Sequence, residues 1–311
     1  MTWRDRRLID RLGLTHPIIQ APMAGASTPA MAAAAANAGG LGALGAALMT
    51  PEAMRAAWAE ARAATNGALS VNFFCHKPPR RDAAAEAAAQ ARLALYYAEF
   101  GLGAPPAPTA SPPFDRERLE FLLEAAPVAA SFHFGLPEPA LLAPLKEAGI
   151  FILSSATSPK EAVALEAAGA DAIIAQGWEA GGHRGVFNPE EGPGEMGAMA
   201  LIPAIVDRVR VPVIAAGGIG DGRGVAAAIM LGAAGVQLGT AFLNSPESMI
   251  GAPHKAALLA SDGGDTVITS AFSGRPARGI VNRYMRETAD MAPADFPLMN
   301  PLTGPLRAAS A

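Results

Sequence analysis

Eight short apolar, β-prone runs alternate with helical stretches along this chain of 311 residues, and that alternation restricts the fold more than any single motif does. The runs fall at residues 17–21, 41–45, 69–73, 128–132, 150–154, 172–176, 213–216 and 235–238, with helices expected at 28–38, 51–63, 82–100, 116–125, 139–148, 159–168, 199–209 and 222–231. Because the runs are apolar throughout and do not alternate with polar residues, they suit parallel strands covered by helices. Eight such units favour a closed α/β barrel of the (β/α)8 (TIM barrel) class over an open doubly wound sheet. Two segments exceed the minimal barrel. Residues 75–113 give an extended third βα connection, an alanine-rich helix followed by GLGAPPAPTASPP, whose prolines suit a surface crossing or a small lid. Residues 245–311 form a C-terminal extension with a helix expected at 247–259 and then the basic stretch FSGRPARGIVNR. With no linker in evidence, residues 1–311 are expected to form one barrel domain.

The stretch VPVIAAGGIGDGRGVAAAIMLGAAGVQLGTAF, residues 211–242, reads as strand, glycine turn, helix, strand and second glycine turn. Glycines allow close backbone approach to an anion, and a helix beginning behind them offers N–H groups and the positive end of its dipole. A phosphate is the expected guest, with Gly217 and Gly218 on one turn and Gln237, Leu238, Gly239 and Thr240 on the next, as in the last two loops of many barrels. A purely structural turn is the plain alternative. A dinucleotide fingerprint fits less well, because the turn comes two-thirds of the way along the chain and the following strand carries Gln237 where an acid would be needed.

The formal net charge of −4 disfavours a general nucleic-acid binder, and no apolar run approaches the length of a membrane span. No secretory signal is visible in MTWRDRRLIDRLGL. Cys75 is the only cysteine, so no intramolecular disulfide can form, and a reducing cytoplasm is the expected compartment. No base stands near Cys75 in sequence to activate it as a nucleophile, and no His, Cys or carboxylate spacing suggests a metal site.

In a parallel barrel the reacting groups gather at the C-terminal ends of the strands. Met23 and its neighbours follow the first run, Asn72 ends the third, His133 follows the fourth, and Gln176 ends the sixth. The two amides suit the edge of a neutral heteroaromatic ring, although an amide can equally tie down a loop. His183 follows the pair Gly181 and Gly182, which would let the chain pass close to a planar ligand, and an imidazole titrates near neutral pH. It is the foremost candidate for acid–base chemistry, against the alternative of a structural or exposed histidine. His133 is a weaker candidate for a substrate pocket. Glu179 and Arg184 flank His183, and a loop salt bridge is the plain account of each.

Taken together, PIIQAPMAG (17–25), VNFF (71–74), QGWEAGGHRG (176–185), AAGGIGDGRG (215–224), GVQLGTAF (235–242) and SGRPARG (273–279) resemble the nitronate monooxygenases, formerly called 2-nitropropane dioxygenases, over almost the whole chain. The two glycine turns are shared with other FMN barrels, whereas EAGGHRG with PMAG and VNFF is more specific. The resemblance implies an FMN-containing barrel that oxidises alkyl nitronates, such as propionate 3-nitronate, with O2 to a carbonyl compound and nitrite, without NAD(P)H. By motif match, Asn72, Gln176, Gly181, Gly217, Gly218, Gln237, Leu238, Gly239 and Thr240 would bind FMN, Pro22, Met23 and Ala24 would lie against the isoalloxazine, and His183 would be the catalytic histidine. Members of the family extend past a PLxNxLTxPLR-like stretch, here residues 297–307, and some present tyrosines and a lysine where this chain has Phe296, Leu298 and Asn300. Two other functions share these residues: an NAD(P)H-dependent FMN reductase acting on a quinone or an enoyl thioester, and a non-catalytic flavin-binding barrel.

Overall fold

The computed structural model describes residues 3–310, and the eight apolar runs become eight parallel strands. They are β1 (Ile18–Gln20), β2 (Gly42–Gly45), β3 (Leu69–Phe74), β4 (Ala129–His133), β5 (Phe151–Ala156), β6 (Ala172–Gln176), β7 (Val213–Ala216) and β8 (Gly235–Leu238). Each pairs with its successor in parallel from β2 to β8, and β8 pairs with β1. A parallel bridge between Ile19 and Leu41 closes the ring, with Leu41 N donating to Ile18 O at 2.9 Å and Gln20 N donating to Leu41 O at 3.0 Å. The chain is therefore a (β/α)8 barrel of the TIM class.

Several helices of the barrel begin the same way. Thr28, Thr50 and Ser158 each accept a backbone N–H through the side-chain oxygen, and a proline follows at the first helical position of Pro29–Asn37, Pro51–Ala64 and Pro159–Ala167. A hydroxyl cap satisfies an orphan donor, and proline supplies a preset φ where no N–H is needed. The strands then divide their side chains by the two-residue period of extended backbone. Leu69, Val71, Phe73, Ala130, Phe132 and Ile152 pack toward the helices on one side of the barrel wall, and Ile173, Ala175, Val213, Ala215 and Val236 do so on the other. The alternate residues Ile19, Leu153, Ala172, Ile174 and Ile214 form an interior cluster with Leu8, Ile9 and Leu12 of the helix Arg7–Leu12.

Glycine is obligatory where the first barrel helix meets β2. A Cβ on Gly42 would lie 1.9 Å from the Ala32 carbonyl oxygen, inside a helix that cannot retreat without losing its own packing. Gly42→Ala is expected to cost about 3 kcal/mol, an overpacking penalty at the upper end of the usual range, read as a lowered urea midpoint with an unchanged slope.

The first compact unit comprises residues 3–76, 113–180 and 185–249 and contains the barrel. The second comprises residues 77–112, 181–184 and 250–310. Its helices Ala83–Glu99 and Met299–Ala309 share a small core of Leu93, Tyr97, Leu298, Met299, Leu302 and Leu306, with Tyr97 Oη donating to Leu302 O at 2.7 Å. Its sheet is an antiparallel ribbon in which Ala277–Ile280 lies between Thr266–Thr269 and the two-residue strand Gly182–His183. Two expectations are corrected. The helix anticipated at 82–100 is real but belongs to this second unit, so the barrel's own third helix is Arg116–Ala125. The helix anticipated at 247–259 starts later, at Ala252–Ala260, because Ser248 N closes a turn on Ser245 O and Met249 N bonds Ala26 O before Gly251 and Pro253 permit a helix to begin.

Charge and phenol are coupled in the second unit. Tyr96 Oη donates to Glu287 Oε2 at 2.6 Å, and Arg283 reaches both Glu287 and Glu99. Burial, and then the neighbouring Glu287 carboxylate, push the Tyr96 phenol up to about 12, while the Tyr96 hydrogen bond and then Arg283 hold Glu287 below its usual range. A raised folded value stabilises fully below the unfolded pKa near 10 and is lost as pH rises through about 12; a depressed carboxylate stabilises above the ordinary carboxylate range and is lost as pH falls through the folded value. Urea midpoints of the wild type and Tyr96→Phe should therefore differ most between these limits and converge above pH 12 and in acid. A constant difference across all pH would contradict the coupling.

Candidate active site

The side-chain alternation that builds the core also sets the composition of the barrel mouth. Since Leu69, Val71 and Phe73 face the helices, Asn72 faces inward, and the same period turns Ser131 and His133 of β4, Ser155 of β5, Gln176 of β6 and Gln237 of β8 inward. The C-terminal layer of the barrel is thus polar but carries no carboxylate, guanidinium or ammonium among these residues. Asn72 Nδ2 donates to Ser131 O at 3.1 Å and to Ser131 Oγ at 3.0 Å, and Asn72 Oδ1 accepts no hydrogen bond among the described residues. His133 Nδ1 lies 3.0 Å from Ser155 Oγ. Gln176 Oε1 accepts from Gly185 N at 2.7 Å, so this amide ties down the loop after β6 as well as facing the mouth. A Cβ on Gly185 would stand 2.9 Å from Ser155 Cβ and 3.0 Å from His133 Cε1, so the loop returns to the barrel only because this residue is glycine.

The two glycine turns follow neighbouring strands, β7 and β8, that pair Ala216 with Gln237. Gly217 and Gly218 have φ of 102° and 69°, the left-handed region that glycine tolerates, and a Cβ on Gly217 would come within 2.9 Å of Ala180 N. The expected helix terminus with free N–H groups is not present behind this turn. Asp221 Oδ1 accepts from Arg223 N at 2.9 Å and Gly224 N at 3.3 Å, and Arg223 pairs with the same carboxylate at 2.6 Å and holds it below the usual range. The helix Gly222–Met230 is therefore capped by its own chain. The second turn differs, since Gly239 caps the short helix Thr240–Leu243 with no side chain. A Cβ on Gly239 would make only ordinary contacts, with Ala21 Cβ at 3.6 Å and Met23 Sδ at 3.8 Å, so this turn lies against the loop after β1 without crowding it. Gly218 and Thr240 are exposed, whereas the Leu238 side chain packs toward the helices and can offer only its backbone.

The loop Pro22–Ala24 is half-buried and pinned at both ends. Met23 N donates to Ser27 Oγ at 2.8 Å, Met23 O accepts from Ala26 N and Ser27 N, and a Cβ on Gly45 would lie 2.8 Å from Ala24 N. Gln20, fully buried, organises this corner: its Nε2 donates to Ala21 O and Ser27 Oγ, and its Oε1 accepts from Ala43 N at 2.8 Å. Sequence reasoning passed over Gln20, although an amide closing an otherwise apolar strand was a usable signal.

Gly181 and His183 belong to the second unit. Gly182 has φ of 73°, and His183 pairs with Ala277 across the ribbon. His183 Nε2 lies 2.9 Å from Ser273 Oγ, and the ring meets Phe296 edge-on at 5.6 Å between centroids. Of the flanking charges, Glu179 accepts from Ala198 N at 2.9 Å and so caps the helix Ala198–Val206, and Arg184 is fully buried. Burial pushes the Cys75 thiol well above its ordinary range, which disfavours the thiolate a nucleophile needs. Among the described residues no helix is long and apolar enough to cross a membrane.

A model of the family described as nitronate monooxygenase matches residues 5–311. A nitronate monooxygenase of Paraburkholderia phytofirmans is 47% identical over 94% of this chain and 82% of its own length, and one of Pseudomonas aeruginosa is 46% identical over 100% and 89%. Among solved structures, a nitroalkane oxidase from Streptomyces ansochromogenes superposes with a TM-score of 0.89 at 41% identity, covering 97% of this chain and 87% of that one. FabK from Thermotoga maritima is more distant, with a TM-score of 0.71 at 29% identity over 99% and 94% of the two chains.

Proposed function

This chain belongs to the nitronate monooxygenase family, and from that premise we propose that it binds FMN at the mouth of its barrel and oxidises alkyl nitronates with O2 to a carbonyl compound and nitrite. The observation that carries the proposal is the polar inner layer of Asn72, His133, Ser155, Gln176 and Gln237, free of carboxylates, guanidinium and ammonium groups and bordered by two partly exposed glycine turns. A flavin needs both: amides for the edge of a neutral ring, and backbone donors that a phosphate can approach without meeting a side chain. The bare backbone at Gly239, which carries no side chain to stand between a phosphate and the turn, supports the same assignment.

Backbone groups of Gly217, Gly218, Gln237, Leu238, Gly239 and Thr240 would hold the phosphate end. Asn72 would accept through Oδ1, Gln176 and Gly181 would complete the ring contacts, and the pinned loop Pro22, Met23 and Ala24 would support the isoalloxazine. Bound there, FMN would supply the redox chemistry that couples nitronate oxidation to O2. The protein's own contribution is orientation and proton management. His183 serves as the base that removes the α-proton of a neutral nitroalkane, and a preformed nitronate, already deprotonated, does not call on it. His133 contributes to the substrate pocket. With Cys75 the only cysteine, no intramolecular disulfide is available to the chain, and a cytoplasmic setting is the one proposed.

Denaturing the purified yellow protein and chromatographing the released flavin tests the cofactor. FMN at close to one per chain is expected; FAD, or a colourless protein that cannot be loaded with FMN, would overturn the proposal.

A further inference from the structure

We infer that Ser273 is a positioning residue that fixes the tautomer of His183, holding the proton on Nε2 so that Nδ1 is the basic nitrogen of the neutral ring. The catalytic consequence rests on the proposed role of His183 as base, whereas the tautomer itself does not.

Ser273 is buried in the SGRPARG stretch, and its hydroxyl meets three polar atoms. Arg275 N donates to Oγ at 3.2 Å, Oγ is 3.1 Å from Arg275 O, and His183 Nε2 is 2.9 Å away. A hydroxyl has one proton to give and two lone pairs to offer. The amide can only donate and the carbonyl can only accept, so two of the three partners have fixed roles. Giving the hydroxyl proton to Nε2 would leave two oxygen atoms facing each other at 3.1 Å with no proton between them. Giving it to Arg275 O satisfies the carbonyl and leaves Oγ as acceptor for both the amide and Nε2–H. The imidazole is then the Nε2–H tautomer, and any proton it takes up goes to Nδ1.

The surroundings keep this arrangement in place. His183 is held by backbone pairing with Ala277, Arg184 N donates to Pro276 O at 2.8 Å, and the ring edge is braced by Phe296. A Cβ on Gly274, where φ is 88°, would lie 2.4 Å from Ala294 O and 2.7 Å from Phe296 N, so the turn bearing Ser273 is seated on the segment bearing Phe296. Arg275, in the same stretch as Ser273, places its guanidinium 5.8 Å from the centroid of the Phe296 ring.

The test is long-range proton–nitrogen NMR on the flavin-loaded protein with nitrogen-labelled histidine, where five histidines give a resolvable spectrum. Wild type above the imidazole titration should show His183, assigned with His183→Asn, as the Nε2–H tautomer. Ser273→Ala should show a tautomer mixture and lose about tenfold or more in kcat/KM for a neutral nitroalkane while changing little for a nitronate, and Ser273→Thr, which keeps the hydroxyl, should restore both. An Nδ1–H tautomer in the wild type overturns the inference even if Ser273→Ala does not fold, as does an unaltered tautomer in a folded Ser273→Ala. If His183 is not the base, the spectra stay as predicted and only the difference between substrates disappears, which separates the two failures.

Discussion

His183→Asn is expected to lower kcat/KM for a neutral nitroalkane by about 100- to 10,000-fold, the usual contribution of a positioned base, and to leave that for a preformed nitronate within about threefold. The two substrates differ by one α-proton, so a residue whose task is to remove it should matter to one and hardly to the other. The substitution is well suited to the question because the site tolerates it. His183 is held by strand pairing with Ala277, and the contacts of its side chain include Ser273 and the edge of the Phe296 ring. Asparagine keeps a side-chain N–H for Ser273 and the strand position, so the thermal midpoint should move little while proton abstraction is lost. Steady-state rates with the nitroalkane and its nitronate under the same conditions check this. Equal losses on both would assign His183 to substrate binding or flavin tuning.

Gly239→Asp is expected to weaken FMN binding by about a hundredfold or more, the roughly 3 kcal/mol that a like-charge juxtaposition costs, without unfolding the barrel. The backbone at Gly239 has φ of −110°, open to any residue, and a Cβ there meets only ordinary van der Waals neighbours, Ala21 and Met23. A side chain is therefore sterically admissible, and what changes is the charge beside the proposed phosphate seat. Gly239→Asn provides the control of equal size, expected to retain flavin far better. Titration of the flavin-stripped proteins, followed by flavin fluorescence, measures the difference. Equal affinities of the aspartate and asparagine variants would move the phosphate away from this turn.

The barrel was legible in the sequence because its signal is local. Strands covered by helices on their outer faces and closed on an apolar interior read as continuous apolar runs, and Thr28-Pro29, Thr50-Pro51 and Ser158-Pro159 announce helix starts within two residues. Asn72 and Gln176 could be singled out because strand ends point at the mouth in a parallel barrel. The second unit was less legible. Its helix Met299–Ala309 contains Pro301, Gly304 and Pro305, which argue against a helix in any local window, and Gly182–His183 becomes a strand only by pairing with residues more than 90 positions away. The ribbon strands Thr266–Thr269 and Ala277–Ile280 are half-buried and lack an apolar alternation. Two capping roles show the same divide. Asp221 ahead of Gly222–Met230 was readable from the rule for N-caps and changes which donors can serve a phosphate, whereas Glu179 caps a helix that begins 19 residues later, a partner no local pattern names.

The proposed activity couples oxidation of a nitronate to consumption of O2 and release of nitrite. Simultaneous recording of oxygen uptake and nitrite release with propionate 3-nitronate, with no reduced nicotinamide present, tests it most directly. Oxygen consumption and nitrite appearing together at a rate set by the nitronate is the predicted result. A flavin that is bleached rapidly by NADPH while the nitronate consumes no oxygen and releases no nitrite would contradict the account.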